Sequence, residues 1–568
     1  MMKPPSLKIC IPLVLFILYF SCSGPDNEST SESDPWKKED PVPEAVIMST
    51  RLFRERLLED PYRPAYHFCI PEDNGVPGDP NGAFYYKGRY HLMYLYHREG
   101  TGFSYGHLSS SDLLHWRHHP DAIGPGGGDH GIFSGGGFVD KNGRAVITYW
   151  EFMNDQTREA HEEGRYTGRP FGVGIATSDR EPFDTWEKSP ANPVIPSTHW
   201  GITVTDDQNG EQLIYGSADP SQIWENDGRY YMLTGNLLVL RKYGIGPDAL
   251  HDSISYQGDH LYLFASDDLL NWEYQHEFYT SDRKWTDKTE DNMCPSFLPL
   301  PSSPKGGEPS GKHLLLFISH NKGCQYYVGS YRNNRFYPDN HGRMTWEDNA
   351  YFAPEALIDG RGRQIMWAWI FDDRPDKMKE TSGWSGTYGL PRSLWLGEDG
   401  TLRMRPVEEL KQLRMKEKEK RSFTIPADGE ITLEGFDKEL MELELIMQPG
   451  EARQAGVMVA CSEDGTEKTL LYYDASEHQL VCDASRSSLE AGRRITERGP
   501  FSLKDGEPLV LRVFMDRSIV EVYANDRQAI ARRIYPTLGQ NRVKLFSRGG
   551  PVEVTSAKCW EMMPSNPY

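Results

Sequence analysis

Five times along the chain a Gly-containing polar turn runs straight into an apolar stretch. The copies are KGRYHLMYLY from Lys87, NGRAVITYW from Asn142, DGRYYMLTG from Asp227, SGKHLLLFIS from Ser310 and GRGRQIMWAW from Gly360. Gly turns followed by β-branched and aromatic residues predict strands that open from hairpins. A second pattern follows three of them: SSDLLHW at Ser110, TSDREPFDTW at Thr177 and SDDLLNW at Ser266, each read as a later strand that ends in a buried Trp. Groups of strands repeating at roughly 50 to 85 residues predict a five-bladed β-propeller with large loops.

The segments just before the copies are GDPNGAFYY, HGIFSGGGFVD, SADPSQIWEN, EDNMCPSFLPL and EDNAYFAPEALID. Each reads as a turn leading into a first strand. First strands of propeller blades run beside the central axis, so their starts surround one end of the channel. Asp79, Ser134, Asp219, the Glu290/Asp291 pair and Asp348 are therefore expected to converge, though they are far apart in sequence.

Beyond Pro406 the pattern changes. PVEELKQLRMKEKEKR has helical spacing and heavy charge and predicts a linker helix over 407–421. From Ser422 to 562, alternating segments such as MELELIMQ, AGVMVAC and SIVEVYAN predict a β-sandwich. The expectation is an all-β chain: a propeller over 58–406, then the linker and the sandwich. Residues 1–22 read as a signal peptide, with Lys3 and Lys8 ahead of an apolar run over 9–20 that is too short to span a bilayer. LYFSCSG places Cys22 as a lipidation site, with plain secretory cleavage as the alternative. Residues 23–57 read as a polar tether and a short helix. The expected location is extracytoplasmic, lipid-anchored at the envelope or secreted, with the membrane touched only through the lipid.

Composition narrows the chemistry. A formal charge of −21 argues against a nucleic-acid partner and is compatible with a neutral substrate. The cysteines after Cys22 (Cys69, Cys294, Cys324, Cys461, Cys482 and Cys559) make no C-x-x-C pair and have no His cluster beside them. Neither a metal nor another cofactor is expected. What remains is acid chemistry. Glycoside hydrolysis uses two carboxyl groups across the scissile bond, about 5–5.5 Å apart for retention and about 6.5–9.5 Å for inversion. Asp79 sits in a tight DPNG turn whose backbone N–H groups could keep it ionised.

The set DPNGAFYYKGRYHLMYLY, GIFSG, ADPSQIW, CPSFLPL, GWSGTYGLPRSLWL and DRSIVEVYANDRQAIARRIYP occurs in the order seen in glycoside hydrolase family 32. The resemblance covers about Arg63 to Trp560. It implies a propeller plus sandwich and retaining hydrolysis of fructofuranosides in an oligo- or polysaccharide, without metal. By that resemblance Asp79 matches the nucleophile of the family's Asp-Pro-Asn-Gly motif, whose Asn81 is an expected substrate contact, as is Tyr105. Asp219 matches the transition-state stabiliser, Phe133 and Ser134 a sugar-contacting pair, and Trp384 a pocket tryptophan, while Tyr105 stands where the family usually has a tryptophan. The chain also departs from the pattern. Gly78 replaces an asparagine, Leu95 a glutamine and Ala218 an arginine. Met293 stands at the acid/base glutamate. Glu290 and Asp291 are the candidates to replace it, and His97, His130 and Trp150 are candidate new lining residues. Two other readings stay open: a non-catalytic glycan-binding propeller, and an inverting arabinofuranosidase- or xylosidase-like enzyme on the same scaffold.

Overall fold

The computed structural model describes residues 44–566 apart from 72–77, 99–101, 155, 158–159, 161–164, 198–201, 205–212, 217, 236–257, 282–283, 288, 373, 376–377, 380–381 and 491. Of the N-terminal unit Met1–Ile47, only the opening turn of the helix Glu44–Glu59 is described, so Cys22 and the signal segment lie outside the described residues.

The unit Met48–Tyr568 carries all of the β-structure described. Five antiparallel sheets of four or five strands follow one another along the chain, each an up-and-down meander. Their innermost strands are Pro80–Tyr86, Gly137–Val139, Ala218–Pro220, Met293–Pro301 and Tyr351–Ile358. The first packs on the second, the third on the fourth and the fourth on the fifth, Ala218–Pro220 reaches blade 2 through Ala145–Trp150, and the fifth returns to the first, which closes the five-bladed ring. Every second strand is one of the five repeated apolar runs: Arg89–Arg98, Ala145–Trp150, Arg229–Gly235, Pro309–Ser319 and Gln364–Ile370. The hairpins before the first and third are two-residue turns with both central φ positive, Lys87 (42°) with Gly88 (88°) and Asp227 (51°) with Gly228 (77°). That geometry matches the right-handed twist of the strands it joins.

The SSDLLHW and SDDLLNW copies fold alike. Ser110 Oγ accepts the N–H of Leu113, and Asp112 Oδ1 accepts those of Leu114 and His115. Ser266 and Asp268 do the same for Leu269, Leu270 and Asn271. The tryptophans differ from expectation. Trp116, Trp186 and Trp272 are half-buried and lie in the turn that leads into the fourth strand, not at a strand's end.

Near the axis the backbones approach so closely that side chains are excluded. A Cβ on Gly136 would lie 2.2 Å from Gln222 N, and one on Gly137 would lie 2.5 Å from Gly82 O. The run of glycines after Ser134 is therefore a packing requirement. Blade-to-blade bonds complete the ring: Gly82 N to Gly135 O at 3.0 Å, Thr148 Oγ1 to Ser221 O at 2.9 Å and Gln222 Nε2 to Phe297 O at 3.0 Å.

The C-terminal part is a sandwich of two six-stranded antiparallel sheets. Its core is built by alternate residues such as Leu443, Leu445, Val457, Leu471, Val513 and Leu545. The charged segment read as a helix over 407–421 folds otherwise. Glu408–Leu413 is a short 3-10 turn, and Arg414–Ile425 is an edge strand paired to Val552–Met562. Residues 416–422 are exposed on both faces, so the segment needs no apolar alternation, and its charges suit an unpaired edge.

Carboxylates tie the sandwich to the propeller. Asp516 accepts the backbone N–H of Ala65, Tyr66 and His67 at 2.6, 2.8 and 2.7 Å. Glu521 binds Arg392 at 3.0 Å and the Leu390 N–H at 2.7 Å. Asp348 belongs to this seam. It pairs with Arg532 at 2.8 Å and Arg493 at 3.2 Å, so it does not join the other strand starts at the channel.

Candidate active site

Asp79 closes the loop ahead of the innermost strand of blade 1. Its carbonyl accepts the N–H of Leu95 at 2.9 Å and the Nδ2–H of Asn81 at 2.8 Å. A bulge between Asn81 and Phe84, with Gly82 at φ 55°, turns the chain sharply here. The side chain thus faces the channel mouth, where Ser134 Oγ donates a 2.5 Å hydrogen bond to Oδ2. None of the DPNG backbone N–H groups serves the carboxylate, contrary to expectation, and Oδ1 is buried without a partner. Burial therefore pushes the Asp79 pKa up to about 6, against the lowering pull of Ser134 and His320.

Asp219 arrives from blade 3 in the short strand Ala218–Pro220 and is 5% exposed. Burial and the nearby Asp79 charge raise its pKa to about 7, opposed by Cys294 and His320. The two carboxylates meet at one atom. Cys294 Sγ lies 3.3 Å from Asp219 Oδ2 and 4.0 Å from Asp79 Oδ2. Cys294 is held there at φ 49°, at a register shift between Met293 and Ser296. Strand starts from three blades therefore open onto one hollow, as the ring of first strands required.

The other expected site residues divide. Ser134 is in the hollow. Phe133 packs against Phe103 (5.1 Å), Phe152 (5.1 Å, edge to face) and Trp150 (5.4 Å), an aromatic wall that His97 extends through Phe103. His130 packs instead on Phe171 and accepts the Asn154 N–H. Asn81 is a bracket: it is 2% exposed, and its amide spans the Asp79 carbonyl and the Gly135 N–H. Tyr105 is fully buried and donates to the Phe133 carbonyl at 2.7 Å, supporting the wall from behind. Trp384 is not in the pocket. It is 1% exposed, donates to Asp60 at 2.6 Å and stacks on Arg374 at 4.1 Å, close to the N-terminal segment.

Neither expected replacement acid reaches the hollow. Glu290 is clamped by Arg343 (2.9 Å) and Gln325 (3.0 Å) and is 2% exposed. Asp291 spends one oxygen on the His320 backbone N–H (2.8 Å) and the other on His320 Nδ1 (2.7 Å). Met293 is 2% exposed and packs in the core with Ala218.

Sequence reasoning missed three residues. Trp369 stands over Gly78: a Cβ at Gly78 would lie 2.8 Å from its Nε1, which is buried and unpartnered. Glu355 accepts the Ala83 N–H at 2.8 Å, and burial pushes it up to about 8. His320 directly follows the apolar run of blade 4. The signal for it lay in the topology. In an antiparallel pair the end of a second strand sits beside the start of the first, so the residue after each repeated run also belongs to the channel mouth.

Comparison with known proteins agrees with this architecture. The profile described as Glycosyl hydrolases family 32 N-terminal domain matches residues 70–406, and Glycosyl hydrolases family 32 C terminal matches 409–561. The chain is 28% identical over 538 residues to a sucrose-6-phosphate hydrolase of Zymomonas mobilis, covering 90% of this chain and 94% of that protein. It is 28% identical to a levanase of Bacillus subtilis, covering 88% of this chain and 70% of that protein. The fold superposes on fructan 1-exohydrolase IIa from Cichorium intybus with a TM-score of 0.73 at 22% identity, over 89% of this chain and 98% of that one.

Proposed function

We infer that this chain, which belongs to glycosyl hydrolases family 32, hydrolyses fructofuranosidic linkages by a retaining double displacement. The observation that carries the reading is the meeting of Asp79 and Asp219 at Cys294 Sγ, from separate blades, in a single hollow. Asp79 is the nucleophile. Its oxygen attacks the anomeric carbon, the glycosidic C–O bond breaks, and water later displaces the enzyme oxygen with a second inversion. Ser134 favours the ionised, attacking form of Asp79. Asp219 takes the sugar hydroxyls as hydrogen-bond donors, a contact that strengthens as positive charge grows on the ring. The aromatic wall of Phe133, Phe103 and Trp150 shields the intermediate from bulk water.

Leu95 and Ala218, 1% and 0% exposed, offer no polar contact where the family has polar side chains, so the pocket favours a glycan read through other groups. The N-terminal run supports export and acylation at Cys22; loss of that anchor in Cys22→Ala would move the protein from the membrane to the soluble fraction.

The test is fructose release from sucrose, levan, inulin and a panel of other furanosides by the purified protein, with the first-formed anomer followed by NMR. Fructose released with retention, and abolished in a folded Asp79→Asn variant, is the expected result. Inversion, or a protein idle on every substrate, would overturn the reading.

A further inference from the structure

We propose that His320, oriented by Asp291, is the proton donor and acceptor of this site, an inference that rests on the hydrolase reading above. The reaction needs a group to protonate the leaving oxygen, and the residues around the hollow narrow the choice. Met293 has no proton to give. Glu290 and Asp291 have their oxygens engaged by Arg343, Gln325 and His320. Tyr105 is fully buried and already donates to Phe133. Glu355 is held beneath the Ala83 backbone. The Cys294 thiol is driven well above its ordinary range by burial, then by Asp219 and Asp79, which makes it a poor acid.

His320 has the position and the chemistry. It follows the strand Pro309–Ser319, in which Ile318 is the register partner of Met293, so His320 stands two residues further on, opposite Asp291, at the same end of the sheet as the vacated acid position. Its side chain is 32% exposed, whereas those of Asp291 and Glu290 are at 1% and 3%. The Asp291 bonds to the His320 N–H and Nδ1, and the Asn349 Nδ2–H bond to the His320 carbonyl (2.8 Å), fix both backbone and ring. With Nδ1–H given to Asp291, Nε2 is the reactive nitrogen, and among the described residues it has no hydrogen-bond partner. The ring edge meets Phe352 at 5.7 Å, which in turn packs on Trp369 above Gly78.

The groups that face His320 are Asp291 from its own blade, Asp219 from blade 3 and Asp79 from blade 1. Burial disfavours the imidazolium, but these carboxylates outweigh it and hold the pKa above the ordinary value. As Asp79 bonds to the anomeric carbon, the imidazolium Nε2–H passes its proton to the departing oxygen. In the second half, neutral Nε2 takes a proton from the attacking water as the Asp79–carbon bond breaks. Atoms and charge balance over the cycle with water alone as co-substrate.

The test compares sucrose, whose leaving group needs a proton, with p-nitrophenyl β-D-fructofuranoside, whose leaving group does not. In His320→Gln, kcat/KM on sucrose should fall about 10²–10⁴-fold. On the nitrophenyl substrate it should fall far less, and azide should restore turnover with fructosyl azide as product. In Asp291→Asn, which removes the largest support of the imidazolium, the basic limb of the kcat/KM profile should move to lower pH while the acid limb stays. Equal losses on both substrates with no azide rescue would overturn the proposal, as would an unmoved basic limb. The limb measurement stands even if His320→Gln fails to fold. A wild type idle on the nitrophenyl substrate and on every furanoside of the panel defeats the hydrolase reading, and this inference with it; where another furanoside of the panel is cleaved faster than sucrose, it takes the place of sucrose in the comparison. An active wild type with a dead Asp79→Asn keeps that reading whatever His320 does.

Discussion

Ser134 and Asp79 are 55 positions apart in sequence, yet the serine hydroxyl donates a 2.5 Å hydrogen bond to the aspartate. The bond joins blade 2 to blade 1 and is the only direct side-chain donor to that carboxylate closer than the 4.0 Å contact of Cys294, among the described residues. It opposes the burial that raises the Asp79 pKa. Ser134→Ala removes a bond to a charged acceptor, worth about 1.5 kcal/mol or more, or about one pH unit. The acid limb of kcat/KM should move up by about that much. Activity at pH 5.5 should fall roughly tenfold while activity at pH 8 changes little, as a pH–rate profile would show. An unmoved limb would separate Ser134 from the ionisation of Asp79.

The same carboxylates cost stability. Asp79 and Asp219 are raised from 3.8 to about 6 and about 7. A raised carboxyl binds its proton more tightly in the folded chain. Its stabilisation is complete below the unfolded value and is lost as pH climbs through the folded one. Between about pH 4 and 7 the free enzyme should therefore lose stability from this pair. Asp79→Asn should be more stable than wild type at pH 8, by on the order of 2 kcal/mol, and nearly equal to it at pH 4. Melting curves across that range decide; a gap that widens toward acid would contradict the account.

Gly78 and Trp369 form a matched pair. Restoring the family's asparagine with Gly78→Asn puts a Cβ 2.8 Å from the indole nitrogen. Overpacking of this kind costs about 1–3 kcal/mol. Trp369→Ala is itself destabilising, but in that background Gly78→Asn should cost little more, so a double-mutant cycle by denaturant unfolding should give a coupling above about 1 kcal/mol.

Trp384 has a structural role. It donates to Asp60 and lies between Arg374 and Arg533, outside the hollow. Trp384→Phe should lower the melting temperature through the lost bond, about 1 kcal/mol, and leave kcat and KM within twofold of wild type. A KM raised tenfold with unchanged stability would return it to the pocket.

The parts of the structure that were legible in the sequence are those set by local pattern. The five second strands announced themselves because each pairs a left-handed turn with an apolar run. The convergence of Asp79, Ser134 and Asp219 followed from topology once five blades were counted. The segment after Pro406 misled because an edge strand wet on both faces and a solvated helix both tolerate KEKEK; charge alone carries no period there. Asn81, Tyr105 and Trp384 show a different limit. A motif fixes where a residue stands along the chain, but neighbours decide which way it faces. Asn81 is turned away by the Gly135 N–H, and Tyr105 by the Phe133 carbonyl. His320 was hidden because its role depends on Asp291, 29 positions earlier, and on the pairing of Ile318 with Met293.

The Asp516 carboxylate has a consequence for how this chain can be divided. It satisfies three consecutive amides of Ala65, Tyr66 and His67, just upstream of blade 1, and Glu521 satisfies the buried Arg392 of blade 5. A truncation that kept only the propeller would hand these groups to water and also uncover the apolar cluster in which Tyr66, Tyr351 and Leu394 pack with Phe514, Ile519 and Tyr523. The smallest autonomous fragment therefore includes both halves, and the C-terminal module serves as a structural staple whether or not it touches carbohydrate.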